Sequence, residues 1–552
     1  MRLGSGSTAP SRFIGSVAAG AALALTLVAC PGGSGGPGSS ASPARGGEIV
    51  VAYPYEPTTL NPFVFGGDAP PTRDLARPFM PELFRIGPKG ERVPSLLAAE
   101  PSGADLGGSP FGVRLRLRND AVWSDGVPIT AADLRFTWQA VMRSPGIASR
   151  DGYDRIADVV VEAPKIARLV FHEPFARWRD LFSAGLGVLP QHSLVRTDIS
   201  KALVRSWPVS GGPFVLKSWT PGLEMVLDRN PHPWGAVPLV DRIRIQFVPD
   251  PVTALALFAR HRVDVLGPYF AADLARRARA SIANALVTTD RGATWVGLFL
   301  NVKSSPLDDV RVRRALAFAI DRAAIVEGLV RQEGEVLDAP SGGDAARTAP
   351  SFAQYAYAPS HADALLRAAG WRPAGSSRAR HKAGNELSFT VAAVSDDELA
   401  QRVLRAMNAE ANGVGIDLNL TALDSTDLWG SWIASSRFQA ALLVERDPPG
   451  GALRARFGIA GENNISGVAD ASLREMLDAS DRRLDDASPA VEAPFGRIAS
   501  LVPVVPLFRL DVVVAARPSL HEIAADASAD GFLWNCERWW VEGGASPSPT
   551  AS

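Results

Sequence analysis

Residues 294–326, TWVGLFLNVKSSPLDDVRVRRALAFAIDRAAIV, constrain the chain more than any other stretch. The run from Trp295 to Leu300 is apolar, as a short buried strand would be, and it breaks at Ser304-Ser305-Pro306. Asp308-Asp309 then offer N-cap chemistry, because a carboxylate satisfies the free N–H groups of a first helical turn. From Val310 the apolar residues Val312, Leu316, Ala319, Ile320 and Ala323 recur every three or four positions, which predicts a helix with one buried stripe. A buried strand that hands directly to a capped helix implies passage from one packed unit into another.

The chain has 552 residues, too many for one ordinary core, so two or three domains are expected. A hydrophobic fraction of 46% with 21% charged residues is that of a folded globular protein. The net charge of −1 gives no electrostatic footprint for nucleic acid, which is excluded as a partner.

The first acidic residue is Glu48, while Arg2 and Arg12 make the start basic. Residues 13–27 form an apolar run of small residues, short for a bilayer span and long enough for a signal segment. It ends in Leu27-Val28-Ala29-Cys30, which resembles the lipobox of bacterial lipoproteins. That resemblance implies cleavage of residues 1–29 and acylation of Cys30, a membrane anchor. With Cys30 so used, Cys536 is expected to be a packed thiol among Trp534, Trp539 and Trp540. Residues 31–47 are rich in Gly, Pro and Ser and predict a disordered tether, as do residues 543–552 for a tail. Gly32-Gly33-Ser34-Gly35-Gly36 fits the form of a nucleophile elbow, and residues 33–38 that of a dinucleotide fingerprint. Neither lies between a strand and a helix, so both are accidents of composition.

Further on, EIVVAY (48–53), residues 114–117 and residues 241–248 read as strands, and residues 253–260 as a helix before another strand at 263–266. Asp125-Gly126 makes a turn, and Thr130 caps a helix carrying Leu134, Phe136 and Trp138. Thr220-Pro221-Gly222 joins two strand-like runs as a type II hairpin. This mixture predicts α/β architecture.

Taken together these segments resemble the family 5 solute-binding proteins of bacterial ABC importers, the dipeptide- and oligopeptide-binding group. The likeness rests on Glu56 through Pro62, on NDAVWSDGVPITAADLRFTW (119–138), on GGPFVLKSWTPGLEMVLDRNPHPW (211–234), on residues 294–326 and on YAPSHADALLRAAGW (357–371). Trp123-Ser124 departs from the family's Phe-His, residues 372–385 are a polar insert without evident structure, and ERDPPGG (445–451) is a degraded form of its acidic turn.

The resemblance implies a two-lobed, periplasmic-binding-protein-like α/β fold of type II with an extra subdomain in the first lobe. Lobe 1 would comprise residues 48–296 and 509–542, with the subdomain near 81–209. Lobe 2 would be 297–508, with crossing strands near 296–302 and 501–508. It also implies a cleft in which a second-lobe acid pairs with a peptide's amino terminus, since a buried ammonium is tolerable only when paired. The candidates are Glu445 and Asp447, two residues apart and so on one side of a strand, though Pro448 bends the chain there; which of them faces the cleft stays open. Glu56 is a candidate from the first lobe, and Trp429 and Trp432 could line the cleft as apolar walls. Asp309, Arg311, Arg313 and Asp321-Arg322 match the family motif but are expected to be caps and packing groups.

The seven histidines form no H-E-x-x-H and no close pair, and no nucleophile or phosphate-loop motif stands in a fitting context. No catalytic residue, metal or cofactor is expected. The expected function is an extracellular, lipid-anchored, monomeric receptor that delivers peptides to the permease subunits of an importer. The alternative is the same scaffold binding a sugar, a metal chelate or another small molecule, and a lesser one is a signalling or adhesion role without transport.

Overall fold

The computed structural model describes residues 43–543, except 65, 68, 88–90, 270–273, 331–333, 343–349, 376, 396, 425–426, 434, 436–437, 448–452, 460–463, 485–488 and 527–530. The signal segment, Cys30, all but the last five tether residues, residues 448–451 of the acidic turn and tail residues 544–552 therefore lie outside the described residues.

Apolar strands hold the molecule together. Among the described residues the main sheet has eleven: β1 (Glu48–Tyr53), β2 (Phe214–Thr220), β3 (Glu224–Arg229), β4 (Arg242–Phe247), β5 (Val265–Tyr269), β6 (Leu286–Leu300), β7 (Gly334–Val336), β8 (Ser388–Val394), β9 (Asp417–Leu423), β10 (Ala440–Arg446) and β11 (Val504–Ala516). Their order across the sheet is β9-β8-β10-β6-β11-β5-β1-β4-β3-β2, with β7 also on β11. β1 pairs in parallel with β4 and β5, and β8 with β9 and β10, whereas β6 runs antiparallel to both β10 and β11. All of β11, VVPLFRLDVVVAA, is buried, as a strand covered on both faces requires.

β6 and β11 pair from Leu286↔Ala516 to Phe299↔Val504, with irregular register between Arg291 and Trp295 and again between Val296 and Gly297. They also pass between two hydrophobic cores. Val512, Val514 and Ala516 pack with Ile49, Leu75 and Phe214 in the first, and Val513 and Ala515 join a satellite cluster with Ala52 and Phe258. Trp295 onward along β6, and Val504 to Leu510 along β11, pack with Leu316, Val391 and Leu404 in the second. A four-stranded antiparallel sheet, in the order Leu106–Gly107, Gly112–Arg116, Ile166–Phe171 and Ile156–Ala163, belongs to the first core.

Local chemistry explains the connecting elements. Helix α1 (Pro70–Ala76) starts on a proline, which lacks the N–H that a first turn leaves unpaired. Helix α2 (Ala131–Arg143) begins where Asp133 Oδ2 accepts from Thr130 N at 2.7 Å, a capping box. The hairpin turn closes through Leu223 N to Thr220 O at 3.1 Å, with Gly222 at φ +72°. Helix α3 (Val310–Ala319) is capped by Asp309, whose Oδ1 accepts from Arg311 N at 2.9 Å.

The stripe predicted from Val312 stops earlier than expected. Ile320 leaves helical geometry and Asp321 caps a fresh turn, so Ala323 is exposed rather than buried. Arg313 and Arg322 are buried: Arg313 donates to the main-chain carbonyls of Leu307 and Leu501, and Arg322 to those of Leu337 and Phe352 and to the Asp338 carboxylate at 3.0 Å. Burial draws the Arg313 pKa down to about 10. Cys536 is buried beside Trp539, and burial pushes its thiol up.

The polar insert at 372–385 is structured, contrary to its sequence reading. Arg372 bridges to His381, a short hairpin joins His381–Lys382 to Asn385–Glu386, and buried Arg380 reaches Asp363 and the Val414 carbonyl. Its polar residues anchor through one arginine rather than an apolar stripe, which hydrophobic periodicity does not register.

Candidate binding cleft

Two adjoining cavities lie where the cores face each other. The larger, about 420 Å³, has walls from both cores, including Tyr53, Val296, Val403, Trp429, Leu442 and Phe508. The smaller, about 160 Å³, is the more polar of the two, with Asp151, Arg177, Asp180, Glu445 and Arg456 in its lining. Ala69, Pro70, Trp429, Val444 and Arg446 border both. The larger volume alone falls in the ordinary range of small-molecule sites.

Arg446, the last residue of β10, links the cores across these cavities. Its Nε donates to Thr294 Oγ1 at 3.2 Å, and its Nη1 is ion-paired to Asp74 on α1. Asp74 also accepts from the Tyr53 hydroxyl at 2.7 Å. Burial, and then the Asp74 charge, raise the Tyr53 pKa well above its usual value. Burial works against the Arg446 charge, but Asp74 and Tyr53 outweigh it and the guanidinium is held more firmly protonated than usual.

Beside it, Arg456 on α4 (Leu453–Phe457) grips the two acids that the sequence singled out. Its Nη2 donates to Glu445 Oε2 at 2.6 Å and its Nη1 to Asp447 Oδ1 at 2.7 Å, with the guanidinium over the Trp295 ring, 5.4 Å from the centroid. Burial opposes its charge, but the two carboxylates prevail and raise its pKa. Asp447 is 0% exposed, and its Oδ2 accepts from Gly342 N at 2.9 Å. Glu445 is 20% exposed and lines the polar cavity, whereas Asp447 borders neither cavity. The two acids do share a side, and they meet through Arg456.

The other candidates separate. Glu56 borders the larger cavity, but its carboxylate receives Trp219 Nε1 and Gly222 N, both at 2.8 Å, so it also fixes the β2–β3 hairpin. Trp429 borders both cavities, while Trp432 packs against the second core and borders neither. Arg446, Arg456, Asp74 and Tyr53 were missed. Arg456 lies 11 residues beyond Glu445 and Asp74 lies 372 residues before Arg446, separations at which no local spacing signals contact.

Residues 112–444 match the model of the bacterial extracellular solute-binding proteins, family 5. The chain belongs to this family. Its members are binding proteins rather than enzymes. This family 5 protein is 23% identical to a probable monoacyl phosphatidylinositol tetramannoside-binding protein, LpqW, of Mycobacterium tuberculosis, over 90% of this chain and 92% of the relative. It is 26% identical to the oligopeptide-binding protein OppA of the same species, over 88% and 83%. Among solved structures it resembles the oligopeptide-binding protein AppA of Bacillus subtilis, in complex with a nonapeptide, at a TM-score of 0.79, 20% identity and coverage of 91% and 100%. It resembles the periplasmic EDTA-binding protein EppA at the same TM-score, 21% identity and coverage of 91% and 97%. The fold is thus the two-lobed one of the periplasmic binding proteins. Among the described residues no helix is long and apolar enough to cross a membrane, and no cluster of three or more His, Cys, Asp or Glu is arranged to hold a metal.

Proposed function

We propose that this family 5 protein is the lipid-anchored receptor of an ABC importer, held at the outer face of the cytoplasmic membrane through Cys30. It captures short peptides as a monomer between two lobes and passes them to the permease. Glu445 is the proposed partner of the peptide's amino terminus. The observation that carries this reading is the Glu445–Arg456–Asp447 cluster, where two carboxylates share one guanidinium at 2.6 and 2.7 Å. Of the two carboxylates, Glu445 is the one with residual exposure and the one bordering the polar cavity. An ammonium placed there meets the paired, hydrogen-bonded setting that a buried charge requires. Apolar side chains of the peptide would occupy the larger cavity, with Trp429 and Glu56 on its wall. OppA and AppA, both named for oligopeptide binding, support the assignment.

The apolar walls of the larger cavity favour a second reading, in which the solute is an amphiphile whose hydrocarbon part fills that space. LpqW, named for an acylated glycolipid, is a relative of that kind. Mass spectrometry of solute released from protein purified from its own envelope separates the two. Peptides are expected, acyl-bearing solutes would favour the second reading, and a sugar or metal chelate without either would refute both.

A further inference from the structure

Away from the apolar cavity the cores meet a second time, through charge. Asp151, Arg155 and Arg177 come from the first core, on the segment around the turns Tyr153–Arg155 and Ala176–Asp180. Arg454 on α4 and Asp478 and Asp481 on α5 (Ala471–Arg482) come from the second. Arg155 Nη2 donates to Asp478 Oδ1 at 2.9 Å and lies 3.7 Å from Asp481 Oδ2. Arg177 donates through Nε to Asp481 Oδ1 at 3.1 Å and through Nη2 to Asp151 Oδ2 at 2.9 Å. Arg454 donates to Asp481 Oδ2 and to Asp478 Oδ1, each at 2.6 Å, and lies 3.9 Å from Asp151 Oδ1. Further out, Arg482 pairs with Glu173 at 3.0 Å.

Asp478 and Asp481 are therefore each held by arginines from both sides of the cleft. The six central side chains carry three charges of each sign and none is more than 27% exposed, with Arg474 3.8 Å from Asp478 and Asp154 4.0 Å from Arg155 at the rim. Multidentate arginine–carboxylate geometry fixes one docking of the two faces, and separating them exchanges these pairs for surface charges that salt screens.

We propose that this cluster is a latch that closes the two lobes without solute. Arg177 and Asp151 also line the polar cavity, so a solute there touches the latch itself. The closed form is then substantially populated before binding, and solute selects it rather than creating it. The latch holds whichever solute the protein carries.

Small-angle scattering on the full-length, solute-free protein tests this. The native protein should be compact at about 0.05 M NaCl and shift to a larger radius of gyration at about 1 M. The double variant Asp478→Asn/Asp481→Asn should show the larger radius at both concentrations, while keeping the native circular-dichroism spectrum and a cooperative melt. The native protein being expanded at low salt would overturn the latch, as would a folded double variant as compact as the native protein. A compact radius in the native protein that ignores salt, joined to a double variant that no longer folds, would make the cluster a folding element and also overturn it.

Discussion

Replacing Asp447 with asparagine separates the two acids by role. The carboxylate has no exposure and holds two donors, Arg456 Nη1 at 2.7 Å and Gly342 N at 2.9 Å. An asparagine oxygen can keep one of these donors, while its amide N–H₂ faces the other. The loss is one charge-assisted hydrogen bond, about 1.5–3 kcal/mol, plus weaker pairing of a buried guanidinium that retains Glu445. A net destabilisation of about 2–3 kcal/mol follows, equivalent to about 5–10 °C in Tm for a unit the size of the second core. The Trp295 ring beneath Arg456 provides a fluorescence reporter for the melt. Glu445→Gln should behave in the opposite way. That side chain is 20% exposed and water can reach it, so its replacement should cost less stability than that of Asp447. Calorimetric affinity for a free-amine peptide should fall about ten- to a hundredfold, since a charge-assisted bond to the ligand is lost. An Asp447→Asn protein that melts like the native one yet no longer binds, beside a Glu445→Gln protein that binds normally, would invert the assignment and refute the reasoning.

Three other outcomes are expected. Glu410 accepts Asp321 N at 2.9 Å, and burial lifts its pKa from the usual 4.5 to about 7. The folded state thus holds a proton that the unfolded state releases, so stability is lost as pH rises from about 4.5 through 7 and the penalty is complete above 7. Glu410→Gln should stabilise by about 1 kcal/mol at pH ~8, after allowing for solvent screening at a half-buried site, and by nothing at pH ~4; denaturant melts at the two pH values check it. Trp429→Ala removes an aromatic wall shared by both cavities and should weaken peptide binding about tenfold with little effect on the melt, as read by calorimetry. Cys30→Ala should release the protein from the membrane fraction into the soluble one, measured by immunoblot of fractionated cells.

How far the sequence could be read depended on the range of the interactions involved. The Thr130 and Asp309 caps and the Thr220-Pro221-Gly222 turn are decided within a few residues, and they stand as expected. The apolar run at 48–53 and the alternation at 241–248 carried their burial in their own pattern. What escaped was set by distant partners. Nothing near Asp447 announces that Arg456 will cover it, and nothing near residues 372–385 announces that Arg380 will anchor them on Asp363. Trp429 and Trp432 belong to one short helical segment, yet only Trp429 reaches a cavity, a difference that follows from how that segment docks.

The placement of β11 has a consequence for biogenesis. This strand lies between β6 and β5, and both hydrophobic cores depend on it, yet it spans only residues 504–516 of a 552-residue chain. Val265 waits for Ala516, and Phe299 waits for Val504, before either side of the sheet is complete. Contacts so far apart in sequence form slowly, because the loop must close before the pairing rewards it. The first core therefore cannot be completed while residues 48–296 are being synthesised, because β11 supplies its pairing only after the second core's segment has been made.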